Sequence, residues 1–212
     1  MREKQHSVED FKPSIVNKPY SEACARNQAP ILAVLNEHFA DRREVLEIGS
    51  GTGQHAVHFA QGLPHLVWQT ADRSDYLPGI RQWLDEAQLA NLRAPFELDV
   101  EGAWPAQRFD AVFTANTLHI MHWPQVERLF AHLPDVSTPD AKLVVYGPFN
   151  YGGTFTSASN AAFDAMLKQE NAGMGIRDFE AVDALAAGAG YSCVEDRAMP
   201  ANNRCVVWTR RL

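Results

Sequence analysis

From Glu44 onward, short apolar runs alternate with stretches in which apolar residues recur at helical spacing. Apolar runs of this length predict buried strands, and the stretches between them predict helices. The predicted strands are Glu44–Ile48, Leu66–Ala71, Phe96–Val100, Phe109–Ala115 and Lys142–Phe149. The predicted helices are Gln54–Gln61, a segment carrying Ile80, Trp83, Leu84 and Ala87, and a segment around Val126–Leu133. Strands that alternate with helices in this way pair in parallel, with helices on both faces of the sheet.

After Phe149 the spacing of the apolar runs changes, and residues 150–178 form a long excursion. The elements predicted from there onward are two helices followed by two strands, namely Ala158–Lys168, Phe179–Ala187, Ser192–Met199 and Cys205–Arg210. The turn-forming residues MPANN separate the last two and favour an antiparallel hairpin. The sequence therefore predicts an α/β fold: a doubly wound, seven-stranded, mostly parallel sheet with an antiparallel C-terminal hairpin, in a single domain over residues 1–212.

The amino-terminal part predicts an extended lead-in over residues 1–18, followed by one helix. Ile31, Leu32, Leu35 and Phe39 recur at helical spacing, and Ser21 is a suitable N-cap. Pro30, however, comes too late to lie in the first turn of a helix that begins after Ser21. Two alternatives therefore stay open: the helix starts near Asn27, or it kinks at Pro30.

Composition and charge narrow the function classes. The 212 residues include 19 Lys and Arg against 26 Asp and Glu, a net charge of −7, which argues against a nucleic-acid-binding surface. The three cysteines form no CxxC pair, so we expect free thiols in a reducing, cytoplasmic compartment. The first ten residues lack the apolar core of a signal peptide. The sequence contains no run of about 18 apolar residues, so we expect no membrane span.

A glycine-rich turn follows the first predicted strand: Glu47-Ile48-Gly49-Ser50-Gly51-Thr52-Gly53. Ligands of open α/β sheets bind beyond the carboxyl ends of the strands, and glycine lets a ligand approach the main chain closely. A dinucleotide site requires a glycine at position 54, where this chain has Gln54, and no phosphate-binding GxxxxGK[S/T] loop is present. The pattern E-x-G-x-G-x-G is instead typical of proteins that bind S-adenosylmethionine (SAM).

Two acidic residues lie at the ends of the next two predicted strands. Asp72 follows the second strand, close to the roughly 20-residue spacing expected of a carboxylate that binds a ribose diol. Asp75 is the competing candidate, but it falls on a turn beyond the strand. Asp99, next to Val100 at the end of the third predicted strand, is placed to accept from an adenine amino group, or else is a turn carboxylate.

With these residues in view, the chain resembles a class I SAM-dependent methyltransferase, and more narrowly the uncharacterised methyltransferase-like protein 26 family. The resemblance rests on the motifs PYSEACARNQAPIL (Pro19–Leu32), EIGSGTGQHAVHFA (Glu47–Ala60), NTLHIMHW (Asn116–Trp123), YGPFNYGG (Tyr146–Gly153) and GIRDFEAV (Gly175–Val182). It implies a Rossmann-like fold, SAM as methyl donor and S-adenosylhomocysteine as product. The residues that it implies in the cofactor site are Glu47, Gly49, Gly51, Gly53, Asp72 and Asp99.

The predicted catalytic residue is His119, which follows the fourth strand, where the methyl group of the cofactor should point. A neutral histidine can take a proton near neutral pH, although His119 is equally explained by packing in its loop. Asn116 is placed to contact the amino-acid tail of the cofactor. The pairs His55/His58 and His119/His122 have no carboxylate in register, so we predict no metal site.

The excursion over residues 150–178 is long enough to be functional, and we expect it to form a lid over a small-molecule substrate. The candidate substrate-binding residues on both sides of the pocket are Tyr20, Arg26, Asn27, Asn150, Tyr151 and Arg177. Three alternatives stay open: a SAM-binding sensor or partner module without catalysis, a protein methyltransferase and, least favoured, a nicotinamide dehydrogenase. The sequence does not define the methyl acceptor or the oligomeric state.

Overall fold

The computed structural model describes residues 18–211, so residues 1–17 of the predicted lead-in lie outside the described part. The described residues form a seven-stranded sheet in the order β3-β2-β1-β4-β5-β9-β8. These strands are β1 (Glu44–Ile48), β2 (Val67–Asp72), β3 (Leu92–Glu97), β4 (Phe109–Ala115), β5 (Ser137–Gly147), β8 (Tyr191–Met199) and β9 (Asn203–Arg210). Strands β1 to β5 pair in parallel, and β9 pairs antiparallel with both β5 and β8. The predicted fold class is confirmed.

Six helices accompany the sheet in the described part of the chain: α1 (Glu22–His38), α2 (Gln54–Gly62), α3 (Leu77–Ala87), α4 (Trp123–Val136), α5 (Ala158–Glu170) and α6 (Phe179–Gly188). Two hydrophobic cores lie on opposite faces of the sheet. Successive residues of one strand alternate between them, as Val112 and Phe113 of β4 show. One core contains residues of α4 and α6, and the other contains residues of α1, α2 and α3. Within residues 18–211, no helix combines the length and the hydropathy that crossing a membrane requires.

The first helix begins directly after Ser21 and continues through Pro30. The side chain of Ser21 accepts from the Cys24 N–H, so the helix starts at Glu22, and Pro30 lies inside it. Of the two alternatives that the sequence left open, the start near Asn27 is therefore wrong. The helix tolerates Pro30 because its buried face, which includes Ile31 and Leu35, packs into the core and stabilises the remaining turns.

The third strand is shifted from its predicted position. It spans Leu92–Glu97, so Asp99 and Val100 lie in the turn that follows it instead of ending it. The prediction failed at Pro95, because proline is typical of strand breaks. β3 pairs only with β2 and occupies one edge of the sheet, which is the position where a strand can accommodate a proline such as Pro95.

Two other differences occur in the second half of the chain. Strand β5 begins at Ser137, five residues before the predicted start. Two short strands, β6 (Phe149–Asn150) and β7 (Arg177–Asp178), form a separate parallel pair that joins the ends of the excursion. Two-residue strands carry no periodicity, which is why the sequence does not predict them.

Candidate active site

A cavity of about 640 Å³ lies at the carboxyl ends of β1, β2 and β4. This volume is in the range of small-molecule sites, and the position is the one expected for ligands of open parallel sheets. Seven of the predicted site residues line it, namely Gly49, Gly51, Asp72, Asp99, Val100, Asn116 and His119. The other predicted residues do not line it, namely Glu47, Gly53, Tyr20, Arg26, Asn27, Asn150, Tyr151 and Arg177.

The three glycines of the turn have different roles, although all have positive φ. Gly51, at φ +58°, has open space where a Cβ would lie, so its main chain is accessible from the cavity. At Gly49 a Cβ would lie 2.8 Å from the Thr117 Oγ1, and at Gly53 it would lie 3.1 Å from the Ile80 Cα on α3. Gly53 therefore permits close packing of α3 against the turn, and Gly51 exposes backbone to a ligand.

Asp72 ends β2 with its carboxylate held against the glycine turn. Its Oδ2 accepts from the Gly51 N–H at 2.7 Å, and its Oδ1 accepts from the Arg73 N–H at 2.8 Å. Burial raises the pKa of the carboxyl above its ordinary value, and the two N–H donors oppose this shift. A carboxylate offers about four acceptor sites, so both oxygens retain capacity for hydroxyl protons of a ligand.

Glu47 lies behind the turn and does not line the cavity. Its Oε2 accepts from the Trp68 Nε1–H at 2.9 Å, and only 2% of the residue is exposed. Burial raises the pKa of Glu47 to about 7. The geometry therefore makes Glu47 a buried support of β1 and the turn.

Asp99 and Val100 reach the cavity from the turn after β3. One carboxylate oxygen of Asp99 accepts from the Glu101 N–H at 2.9 Å, and its carbonyl accepts from the Gly102 N–H at 2.9 Å. Asp99 is thus a turn carboxylate that also lines the cavity. Its second oxygen has no hydrogen-bond partner within residues 18–211 and is available to a ligand.

Asn116 follows β4 in the left-handed backbone region, at φ +57°. Asparagine is one of the few residues other than glycine that tolerate this region, and such residues are enriched at functional sites. Its N–H donates to the Tyr146 carbonyl at 2.8 Å, which fixes the residue to the end of β5.

His119 lies on the same loop and is 6% exposed. Its ring meets the Phe163 ring edge-on, with centroids 5.4 Å apart. Burial, together with the nearby Arg177 cation, lowers the pKa of His119 to about 4. Because the imidazole is neutral at pH 7, one ring nitrogen is a hydrogen-bond acceptor.

The excursion lines the cavity with Phe163, Asn171 and Met174, three residues that the sequence patterns do not indicate. The predicted residues of the excursion lie elsewhere. The Tyr151 hydroxyl donates to the Asp196 carboxylate at 2.7 Å. Asn150 is buried in the β6–β7 pair with its Oδ1 unpaired, and Arg177 binds main-chain carbonyls.

The amino-terminal residues that reach the cavity are Ser21, Ala23 and Cys24, from the first turn of α1. The Ser21 N–H donates to the Gln54 Oε1 at 2.5 Å, which docks this helix start onto the glycine turn. The N-cap at Ser21 is the sequence signal that could have placed these residues in the cavity wall, because they form the amino end of α1.

The neighbouring predicted residues are engaged or exposed. Asn27 accepts through its Oδ1 from the His55 Nε2–H at 2.7 Å, and 59% of Tyr20 is exposed. His55 itself lines the cavity, and burial lowers its pKa to about 4. The sequence could have indicated a buried His55, because His55 lies on the same face of α2 as the apolar residues Ala56 and Phe59.

A group of potential metal ligands, Glu37, His38 and Glu195, lies away from the cavity. The Arg197 guanidinium binds both carboxylates of this group, with Nη2 donating to Glu37 at 2.6 Å and Nε to Glu195 at 2.5 Å. Since one arginine cation already pairs with both carboxylates, the group is an ion-pair network.

Solved structures with the same fold are SAM-dependent methyltransferases. An O-methyltransferase family protein from Burkholderia thailandensis superposes with a TM-score of 0.79 at 18% identity, covering 90% of this chain and 58% of its own. Mitomycin 7-O-methyltransferase MmcR gives 0.78 at 19% identity, covering 89% and 54%. Human N-acetylserotonin methyltransferase, solved in complex with SAM, gives 0.76 at 14% identity, covering 90% and 53%.

At these low identities the superpositions show the fold alone, which is the Rossmann-like fold found in methyltransferases. The chain spans between 53% and 58% of the length of these three proteins. The family is defined by a separate match over residues 18–210. The chain belongs to the family described as protein of unknown function (DUF938).

Proposed function

We propose that this protein is a SAM-dependent methyltransferase that acts on a small molecule. The observation that carries the proposal is the pairing of Gly51 and Asp72. Bare main chain at Gly51 faces a cavity of about 640 Å³, and the same residue holds the Asp72 carboxylate through a 2.7 Å hydrogen bond. A nucleoside with a ribose diol fits such a combination of accessible backbone and fixed acceptor.

The cofactor is assigned to the end of the cavity near β1 and β2. Asp72 accepts from the ribose hydroxyls, and the main chain of Gly49 and Gly51 lies along the nucleoside. Asp99 and Val100 bind the adenine, and Asn116 binds the amino-acid tail. Glu47 and Gly53 support this arrangement from behind, through the Trp68 bond and the packing on α3.

When bound, SAM supplies an electrophilic methyl group on sulfur. The protein then has to align an acceptor with that methyl group and exclude water. With SAM bound, the neutral His119 ring would take the proton of the acceptor hydroxyl as its oxygen is methylated, and S-adenosylhomocysteine would be the product. A histidine with a pKa of about 4 suffices, because a hydroxyl that is being alkylated becomes strongly acidic.

The small-molecule acceptor is proposed from the shape and lining of the cavity. Phe163, Asn171 and Met174 of the excursion border the side that carries His119, so residues 150–178 act as the substrate lid. The solved proteins named above include methyltransferases of small molecules, mitomycin and N-acetylserotonin. We also propose that the chain is related to the methyltransferase-like protein 26 family. The same proposal includes a single domain over residues 1–212.

Calorimetric titration of SAM and S-adenosylhomocysteine into the protein tests the assignment. Asp72→Asn keeps the shape of the side chain but loses the charge, and Asp75→Asn is the matched control on the exposed turn nearby. We expect roughly tenfold to hundredfold weaker binding for Asp72→Asn, since a hydrogen bond to a charged group is worth about 1.5–3 kcal/mol. Equal affinity of both variants and the wild type would remove Asp72 from the site.

A second function, a SAM-binding module without catalysis, is favoured by one observation. The pKa of His119 is about 4, whereas a general base is most effective when its pKa lies near the working pH. Screening acceptors with wild type and His119→Gln separates the two functions. Turnover that falls in His119→Gln while SAM affinity is kept supports the enzyme, and SAM binding without turnover of any acceptor supports the module.

A further inference from the structure

Arg177, on β7, does not line the cavity and uses its guanidinium to bind three main-chain carbonyls. The Nε donates to the Leu118 carbonyl at 3.1 Å, and Nη2 donates to the carbonyls of Met121 and Gly173, the latter at 2.9 Å. No carboxylate within residues 18–211 accepts a hydrogen bond from this guanidinium. Its hydrogen bonds therefore serve to join two loops, residues 116–122 and residues 171–177.

The joined loops meet at further points around His119. The Gly175 N–H donates to the His119 carbonyl at 2.9 Å. A Cβ at Gly173 would lie 2.5 Å from the His122 ring, so the loops have no space between them. The Ile176 N–H donates to the Asp164 Oδ1 at 2.8 Å, which fastens the second loop to α5.

Helix α5 carries Phe163, whose ring lies edge-on to His119. The wall of the cavity on this side is thus one connected assembly of two loops and a helix. Arg177 is the residue that binds the main chain on both sides of His119, at Leu118 and at Met121. The imidazole itself has no hydrogen-bond partner within residues 18–211, so its position depends on the main chain and on packing.

We propose that Arg177 is a positioning residue that fixes the imidazole of His119 at the acceptor end of the cavity. This inference rests on the proposed function only in naming that end. Arg177 does not touch the cavity, and it acts through the carbonyls of Leu118, Met121 and Gly173.

Arginine is required at this position for a geometric reason. A guanidinium presents five N–H donors in a rigid plane, so it can bind separate carbonyls in fixed directions. A lysine ammonium carries the same charge on a single atom and cannot reproduce the planar fork. Arg177→Lys therefore separates the charge from the positioning, and Arg177→Met removes both.

The test uses the full chain with histidine labelled for NMR, and His119→Gln assigns the ring signals of His119. We expect the signals at pH 7 to shift and broaden in both Arg177→Lys and Arg177→Met. The pKa of His119 should rise in Arg177→Met, which removes the nearby cation, but burial should still hold it below its ordinary value. It should stay lower in Arg177→Lys, which keeps the cation. Arg108→Met, at an exposed arginine, is the matched control.

Calorimetry with S-adenosylhomocysteine, as the probe, is run on the same variants. Affinity should stay within about twofold of wild type, because Gly51 and Asp72 are untouched. Signals of His119 that superpose on wild type in Arg177→Lys and Arg177→Met overturn the proposal, as does an equal shift in Arg108→Met. If Arg177→Met does not fold, Arg177→Lys decides.

The same measurements keep the two proposals apart. If the wild type does not bind S-adenosylhomocysteine, the proposed function fails, and the NMR signals still decide whether Arg177 positions His119. If the wild type binds it and the His119 signals do not move in the variants, only the positioning role fails.

Discussion

Gly51 and Gly53 are two residues apart in one turn, yet their replacement by alanine should have different consequences. Both have positive φ, which costs an alanine about 1–2 kcal/mol. At Gly51, φ +58°, the place that a Cβ would take is open space, whereas at Gly53, φ +89°, it lies 3.1 Å from the Ile80 Cα. The Ile80 Cα is backbone of α3, so it cannot move aside as a side-chain tip can.

We therefore expect the free energy of unfolding of Gly53→Ala to fall because of the backbone strain and, in addition, by about 1–3 kcal/mol because of overpacking against α3. In Gly51→Ala the backbone strain alone should lower the free energy of unfolding, by about 1–2 kcal/mol, and the variant should remain folded. Its methyl group would, however, occupy the place where, in the proposed function, the cofactor meets the main chain. We expect at least a tenfold loss of affinity for S-adenosylhomocysteine.

Urea unfolding, followed by tryptophan fluorescence and circular dichroism, measures the loss of stability, and calorimetric titration measures the loss of affinity for S-adenosylhomocysteine. Gly51→Ser, with a similar small side chain, is a second variant at the open position. Stability losses of equal size at both glycines would refute the structural distinction. Unchanged affinity in a folded Gly51→Ala would refute contact between the cofactor and this main chain.

Three further predictions concern buried polar groups. The pKa of Glu47 is raised to about 7, so between pH 4.5 and 7 the native state holds a proton that the unfolded state has lost. Glu47 therefore lowers stability as pH rises through that window. In urea unfolding, the stability of Glu47→Gln relative to the wild type should be higher at pH 8 than at pH 5. The pKa values of about 4 for His55 and His119 work the other way: stability is lost as pH falls from about 6.5 to 4, and His55→Gln should flatten that profile. Tyr191→Phe leaves the buried Ser137 hydroxyl without its 2.5 Å partner, and its free energy of unfolding should fall by about 1–3 kcal/mol.

The sheet could be predicted because most strands are marked by their own local sequence. β1 and β4 are short, mainly apolar segments whose central residues are buried, and their predicted bounds match the structure. β3 could not be placed in the same way, since Pro95 is acceptable only on an edge strand, and edge position is a property of the whole sheet.

The candidate site shows the same division between local and distant information. The sequence indicates Gly51 and Asp72 because a strand–turn–helix and a following strand end bring them together within one βαβ unit. The environment of Arg177 depends on carbonyls that lie up to 59 residues away. Since every residue type has a carbonyl, no residue type in the sequence marks those partners.

The two ends of the cavity come from different stretches of the chain. The end assigned to the cofactor in the proposed function is built by the turns that follow β1, β2 and β3, and the other end by the loop after β4 together with Phe163, Asn171 and Met174 of the excursion. Substitutions in residues 158–176 can therefore remodel one wall while the hydrogen bond between Gly51 and Asp72 stays intact. Under the proposed function, such a chain could exchange acceptors through changes in residues 150–178, which makes this excursion the segment to graft when redesigning specificity.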